Sequence, residues 1–478
     1  MPPQLALLLV ALFVPVLLRL SRYSQPTVSQ WLWIPTIWVA IMGSRMLSQW
    51  FTSSPDRGID AYTDGSPIDR NIFLFLIVAA AIAVFQRRSR LAGLISRNAA
   101  LCMFLVYCGI SIAWSDFPTV SIKRYVKDLG DVLMVLVILT EASPVEAISS
   151  VVKRCAYTLI PMSIVLYKYY PGIGRVYDRW NGKVIVTGVT SNKNELGVLA
   201  LICGLLLIWS LLLVRRGRLV PANPKVASFV IASVLVMTIW TLITANSATS
   251  IACFALGTTV LMLAPSAAGR LKWLGVFSLL ILAAALAVDI SSAGLLDTFT
   301  SALGRDATLT GRTDLWADLL TLAGNPLIGV GFGSFWLGDR LSELWSKYWW
   351  QPTEAHNGYL EVYLELGLLG CALLGCVIVS LARRCATTLM SDPDIGRLRL
   401  ALLVVALVYN ITEAAFRVDL LMYLAFLLVA VDVYAPDRAP VAIRDRSQLR
   451  VPPGGPYLGI GKSARPIWVN ESRKLTLR

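Results

Sequence analysis

The sequence predicts an all-α, polytopic transmembrane protein with about 12–13 spans. Three observations lead there. The 478 residues are 56% hydrophobic and only 15% charged, with a mean hydropathy of +0.66. Apolar runs of about 17–25 residues, the length a helix needs to cross a bilayer, recur along the chain. Basic residues collect in short connections between those runs, as the positive-inside rule expects. Backbone in lipid must satisfy its own hydrogen bonds, so long apolar runs mean helices, whereas a membrane barrel shows short alternating segments.

Spans are expected at 4–20, 31–50, 71–86, 98–114, 126–141, 153–170, 195–214, 226–244, 247–265, 271–289, 358–381, 398–414 and 418–435. The basic connections QRRSR (86–90), RRGR (215–218), GRLK (269–272) and ARRC (382–385) fall on every second loop and are assigned to the cytoplasm. The alternate loops then face outward. The organisation is an N-terminal set of transmembrane helices (1–290), a long outer loop (291–357), C-terminal transmembrane helices (358–435) and a basic, Pro-rich cytoplasmic tail (436–478) expected to be disordered. The long loop carries apolar residues at helical spacing, as in TDLWADLLTLAG (313–324), and is expected to form amphipathic helices on the outer membrane surface. No internal repeat stands out.

The net charge of +14 is accounted for by the loop pattern, so nucleic acid is not an expected partner. Eight cysteines without a CxxC pair lie in or beside apolar runs and read as packing residues. The first 20 residues lack a basic start and a small-residue cleavage site, and read as a retained span.

Few basic residues belong on the outer side, so the exceptions are informative. They are Lys123, Arg124 and Lys127, then Arg175, Arg179, Lys183 and Lys193, then Arg305 and Arg312, and Arg417 near Glu413. Each taken singly reads as an interface anchor or the partner of a nearby Asp. Together, from four connections, they would suit a multiply charged anion, and the planar guanidinium fork suits phosphate. The one histidine, His356, ends the long loop. It is a candidate general base, with Glu354, Glu361 or Glu365 to orient it. A metal site is not expected, because there is no second histidine and no cysteine cluster. A base beside an anion pocket at membrane level suggests group transfer from a lipid-linked pyrophosphate, which needs no metal or nucleotide loop.

The stretches LTGRTDLWADLLTLAGNPLIGVGFGSFW (309–336) and EAHNGYLEVYLELGLLG (354–370) resemble the signature region of the O-antigen ligase and polymerase superfamily. The matching positions are Gly311, Arg312 and Trp316; Pro326, Gly329, Gly331, Gly333 and Phe335; His356 and Asn357; Glu365, Gly367 and Gly370. WSDFPTVSIKR (114–124) and GVTSNKNELG (188–197) look like the exopolysaccharide polymerase branch, with Lys193, Asn194 and Gly197 in its K-N-x-x-G piece. A histidine often found just before that lysine is Asn192 here, so it is not essential to this chain.

The resemblance implies a metal-independent, all-helical membrane glycosyltransferase of GT-C-like architecture, in the bacterial inner membrane with its site facing the periplasm. It implies undecaprenyl-pyrophosphate-linked glycan as donor, His356 as base, Arg312 as a pyrophosphate ligand, Arg175 or Arg179 as a second cation, and Lys193 as a weaker one. Asn357, Glu354, Glu361, Glu365, Lys123 and Arg124 would support the site. A flippase and a chain-length regulator are the partners such a polymerase works beside. Two other functions stay open: a ligase moving finished glycan to lipid A core or protein, which the motifs do not separate cleanly from a polymerase although the SNKN segment tilts toward the latter, and a transporter of lipid-linked oligosaccharide, which would predict repeats and interrupted helices.

Overall fold

The computed structural model describes residues 1–24, 27–51, 65–178, 182–263, 310–418 and 420–433. The expected span 271–289, the first part of the long loop with Arg305, Arg179 and the tail from 436 onward lie outside these residues. The main helices are α1 (Pro3–Leu20), α2 (Trp33–Met42), α3 (Pro67–Gln86), α4 (Ala99–Ser111), α5 (Pro118–Leu139), α6 (Pro144–Tyr169), α7 (Lys193–Arg215), α8 (Pro224–Ala245), α9 (Ala248–Leu263), α10 (Thr310–Thr321), α11 (Gly338–Lys347), α12 (Gly358–Ser391), α13 (Pro393–Thr412) and α14 (Leu421–Ala430). The protein is a polytopic helical membrane protein. Among the described residues seven helices are long and apolar enough to cross a bilayer, eight if the bent pair Arg88–Arg97 and Ala99–Trp114 is one span. Shorter apolar helices at Gln30–Met42, Ala248–Leu263 and Leu421–Ala430 fall on further expected spans.

Local chemistry starts these helices. Ser66, Ser143, Asn223 and Asp392 each accept a backbone N–H of the first turn and are each followed by proline, which has no N–H to lose there. α7 and α6 form the centre of the bundle: 89% and 78% of their apolar windows are buried, against 17% for α1 at the periphery. α5 begins eight residues before the expected span, whose apolar pattern is hidden at the start by Lys123, Arg124 and Lys127 in the first turns. Deeper in α5, the indole N–H of buried Trp38 donates to Asp131 at 2.7 Å. The eight cysteines are unpaired, and five of them are buried.

The expected span 31–50 divides. α2 stops at Met42, and residues 47–51 form a separate short helix. A two-stranded antiparallel hairpin, β1 (Arg175–Tyr177) with β2 (Val184–Val186), occupies the 170–192 connection. At one end of the bundle Arg87 pairs with Glu141 at 2.5 Å, Arg218 with Asp392 at 2.9 Å, and Arg384 donates to the Ala430 carbonyl. His356 lies at the other end.

The described part of the long loop is a small second layer with its own core. Leu315 and Leu319 of α10 and Leu341 and Leu344 of α11 bury against Phe335, Trp336 and Leu364. The apolar faces of these helices therefore pack on protein, which the sequence expectation of membrane-surface helices did not include.

Candidate active site

His356 is held by its neighbours on three sides. Asn357 caps α12 by accepting the N–H groups of Tyr359 and Leu360, each at 3.0 Å. Glu361, one turn on and buried, accepts the Ala355 N–H at 2.6 Å and the Trp336 indole N–H at 2.8 Å. The Trp316 indole N–H donates to the Ala355 carbonyl at 2.7 Å. Trp350 stacks on the imidazole, with ring centroids 6.3 Å apart and planes at 29°. The His356 backbone has φ +51°, in the left-handed region that β-carbons disfavour. Such strain persists only where surrounding bonds over-determine the conformation, as they do here.

The glycine-rich loop and the E-x-G motif interlock. α12 breaks at Gly367, which has φ +65°. The N–H groups of Leu368 and Leu369 donate to the carbonyls of Pro326 and Leu327 at 2.9 and 3.0 Å. In return, the N–H groups of Val330 and Gly331 donate to the carbonyls of Leu364 and Glu365 at 3.2 and 2.8 Å. A β-carbon on Gly329 would lie 2.3 Å from the Glu365 oxygen, and one on Gly367 would lie 2.4 Å from the Leu327 carbonyl. These glycines let two backbones meet and set the angle at which the first half of α12 delivers His356. On the far side of that half-helix, a β-carbon on Gly358 would lie 1.8 Å from Asn410 Oδ1. Asn410 uses that oxygen to accept the Ala415 N–H at 2.9 Å, which fixes the turn carrying Glu413.

The charges converge at this point. His356 Nδ1 is 3.0 Å from Glu354 Oε1 and 3.4 Å from Glu413 Oε2. Arg417 Nη1 lies 3.4 Å from Glu354. Arg312 donates to the Thr412 carbonyl at 2.7 Å and places Nη2 3.7 Å from Glu413, while Asn194 Nδ2 donates to Glu413 at 3.0 Å. Burial by itself would lower the imidazole pKa. Hydrogen bonds to Glu354 and Glu413 and the charge of Glu354 outweigh burial and an opposing Arg312, and raise it from 6.5 to about 9. Burial likewise pushes the Glu354 carboxyl up, but His356, Arg417 and Arg312 together hold it below its usual range. With Nδ1 turned to the carboxylates, Nε2 is the nitrogen left for chemistry.

These groups border a cavity of about 520 Å³. Lys193, Asn194, Glu354, His356 and Glu413 line its charged part, and Met42, Met46, Leu421 and Met422 are among its apolar lining. Ligand atoms of Glu354, His356 and Glu413 lie within 4.8 Å of one another, a set able to hold a divalent cation. Arg312 and Arg417 already supply positive charge to both carboxylates.

Residues 232–375 match the O-antigen ligase family. This match takes in the glycine-rich loop, His356 and Gly367, the stretches that carry the resemblance to the O-antigen ligase and polymerase superfamily. Over 289 residues it is 25% identical to the exopolysaccharide production protein ExoQ of Rhizobium meliloti (strain 1021), an alignment covering 58% of this chain and 62% of that relative. The chain thus spans less than two thirds of that relative's length.

Set against the superfamily motifs, the sequence-predicted residues separate by place. His356, Glu354 and Lys193 line the cavity, and Arg312 reaches it through Glu413. Arg175 is turned to the end of α6, where its Nε donates to the Tyr167 carbonyl at 2.8 Å and its guanidinium lies 4.7 Å from that ring. Arg124 donates to the Gly333 carbonyl at 2.5 Å and so braces the glycine loop, and Lys123 is exposed on α5. Glu361 and Asn357 are the clamp and the cap described above, and Glu365 sits where α12 meets the glycine loop. Asn192, at the place of the often-found histidine, caps α7: its Oδ1 accepts the Glu195 N–H at 2.9 Å. Three participants were not singled out as site residues from sequence: Glu413, Asn194 and Arg45. The signal for Glu413 was present, since a carboxylate and Arg417 in a tight turn between two apolar runs are costly without a role. Arg45 donates to the Thr190 carbonyl at 3.0 Å and to Ile173, holding the 187–191 segment against the end of α2.

Proposed function

We propose that the protein is a bacterial inner-membrane polymerase that joins exopolysaccharide repeats. The observation that carries this reading is the placement of the one imidazole at the charged part of a cavity that also has an apolar lining. That combination suits a donor with a charged head and a lipid tail, here undecaprenyl-pyrophosphate-linked glycan. The similarity to an exopolysaccharide production protein supports the polysaccharide assignment. The basic loops at the opposite end support an orientation with the cavity on the periplasmic side. A flippase and a chain-length regulator are the expected partners.

In this reading an acceptor hydroxyl oxygen attacks the anomeric carbon of the donor. The bond between that carbon and the phosphate oxygen breaks, and the pyrophosphate leaves with the electron pair. His356 Nε2 takes the hydroxyl proton, while Glu354 and Glu413 hold Nδ1–H and stabilise the imidazolium that forms. Arg312 and Lys193 face the charge that develops on the leaving group. Arg312 exchanges its long contact with Glu413 for a phosphate oxygen. Arg179 is the remaining outer-side candidate for a second arginine ligand. No step requires a metal ion.

The test is complementation of a strain lacking the gene with His356→Ala, following membrane abundance, polymer size and lipid-linked oligosaccharide together. Normal abundance, no long polymer and accumulated single repeats on lipid support the reading. Normal polymer removes His356 as base. Long lipid-linked polymer that fails only to reach its final acceptor would instead identify a ligase, and single repeats retained on the cytoplasmic side a transporter.

A further inference from the structure

The cavity has a third kind of surface that the donor's charge and lipid do not explain. Besides its charged and apolar parts, it is lined by neutral hydrogen-bonding side chains, Gln49, Ser191 and Asn192. A pyrophosphate only accepts and can use their donors alone, and a polyprenyl chain has no use for neutral amides and hydroxyls. A glycan does, because each hydroxyl both donates and accepts.

These groups are held in place. Gln49 sits on the short helix 47–51. That helix is pinned on one side by Asp69, which accepts the Ser48 N–H at 3.0 Å and its hydroxyl at 2.5 Å. On the other side, the Arg45 N–H donates to the Val189 carbonyl at 2.9 Å. Ser191 is set by Glu195 of α7, which accepts its N–H at 2.9 Å. The Ser191 hydroxyl then donates to Gln49 Oε1 at 3.2 Å, joining the two segments at the cavity wall. Asn192 spends both ends of its amide on Glu195. Gln49 and Ser191 are both exposed and present the Nε2 donors and the hydroxyl lone pairs next to each other, which matches a pair of neighbouring sugar hydroxyls.

We propose that Gln49 and Ser191 form a hydroxyl-reading subsite that selects the sugar presented beside His356. The inference rests on the glycan-transfer reading and adds to it a specificity determinant. A site built to hydrogen-bond a hydroxyl rejects an analogue that lacks it in the right place, because its own polar groups are then left unpaired.

The experiment uses the purified full-length protein with lipid-linked repeats isolated from a strain lacking the gene. Polymer formation is inhibited with a panel of methyl pyranosides that differ from one another at a single hydroxyl. Wild type should show inhibition constants spread about 10-fold or more between epimers. Gln49→Leu and Ser191→Ala should compress that spread to within about 3-fold. If the bond between Gln49 and Ser191 only tethers helix 47–51, the variants weaken all epimers equally and keep the ratio, which overturns the subsite and leaves the polymerase standing. A wild type that polymerises with no epimer preference does the same. A wild type that makes no polymer from these repeats defeats the glycan-transfer reading, and the subsite with it.

Discussion

The pH dependence of transfer tests the His356 assignment most directly. Two carboxylates raise the imidazole pKa to about 9 in the ligand-free site. At pH 7.5 only about 3% of such an imidazole is neutral, whereas an unperturbed one would be about 90% neutral. If His356 is the base, the single-turnover rate should rise close to 10-fold per pH unit from 7 to about 8, reach half its maximum near 9 and level off toward 10. Glu354→Gln removes the negative charge 3.0 Å from Nδ1, so the rising limb should move toward neutral pH by about one unit or more. The same proton is linked to stability. Because the folded pKa lies above the unfolded value, its contribution is complete below about pH 6.5 and is lost as pH rises through about 9. The assay is lipid-linked repeat consumed per turnover between pH 6 and 10, for wild type and Glu354→Gln. A wild-type rate that is flat or falls between pH 7 and 9 would refute a neutral imidazole base and leave His356 as a cation or proton donor.

Gly367→Ala should lower the thermal midpoint in detergent. Its φ +65°, ψ −166° is a backbone region essentially reserved for glycine, costing roughly 1–3 kcal/mol for another residue, and a β-carbon would meet the Leu327 carbonyl at 2.4 Å, so an unchanged midpoint would contradict the interlock. Arg312→Lys should raise the KM for lipid-linked donor about 10-fold through loss of the bidentate fork, and an unchanged KM would remove Arg312 from the pyrophosphate. Asn410→Leu leaves the buried Ala415 N–H unpaired at a cost of roughly 1–3 kcal/mol, and should reduce both stability and turnover through the Glu413 turn. Transfer should survive EDTA. Loss of activity that a divalent cation restores would assign Glu354, His356 and Glu413 to a metal.

Much of the fold was legible because the bilayer imposes a length and a composition on each span. Thus α7 begins and ends within two residues of its expected bounds. The misplaced boundaries have local causes. Charges in the first turns of α5 hid its start, and averaging over the window from 31 to 50 concealed the stop at Met42 and the separate helix that carries Gln49. The glycine motif could be read from sequence, but the function of its members could not. Gly329 and Gly367 are separated along the chain, and only their meeting shows why neither tolerates a β-carbon. Glu413 was legible as a costly charge in a turn. Its position beside His356, 57 residues away, was not.

Sequence alone determined that this chain is helical and membrane-embedded, and that its one imidazole ends a polar loop. Hydrophobic periodicity and residue type are local properties, and they are written directly in the order of residues. Tertiary structure decided which charges meet. It brought Asn194, Arg312 and Glu413 to His356 and turned Arg175 away, because side-chain pairing depends on helix packing and backbone angles that no single stretch of sequence contains.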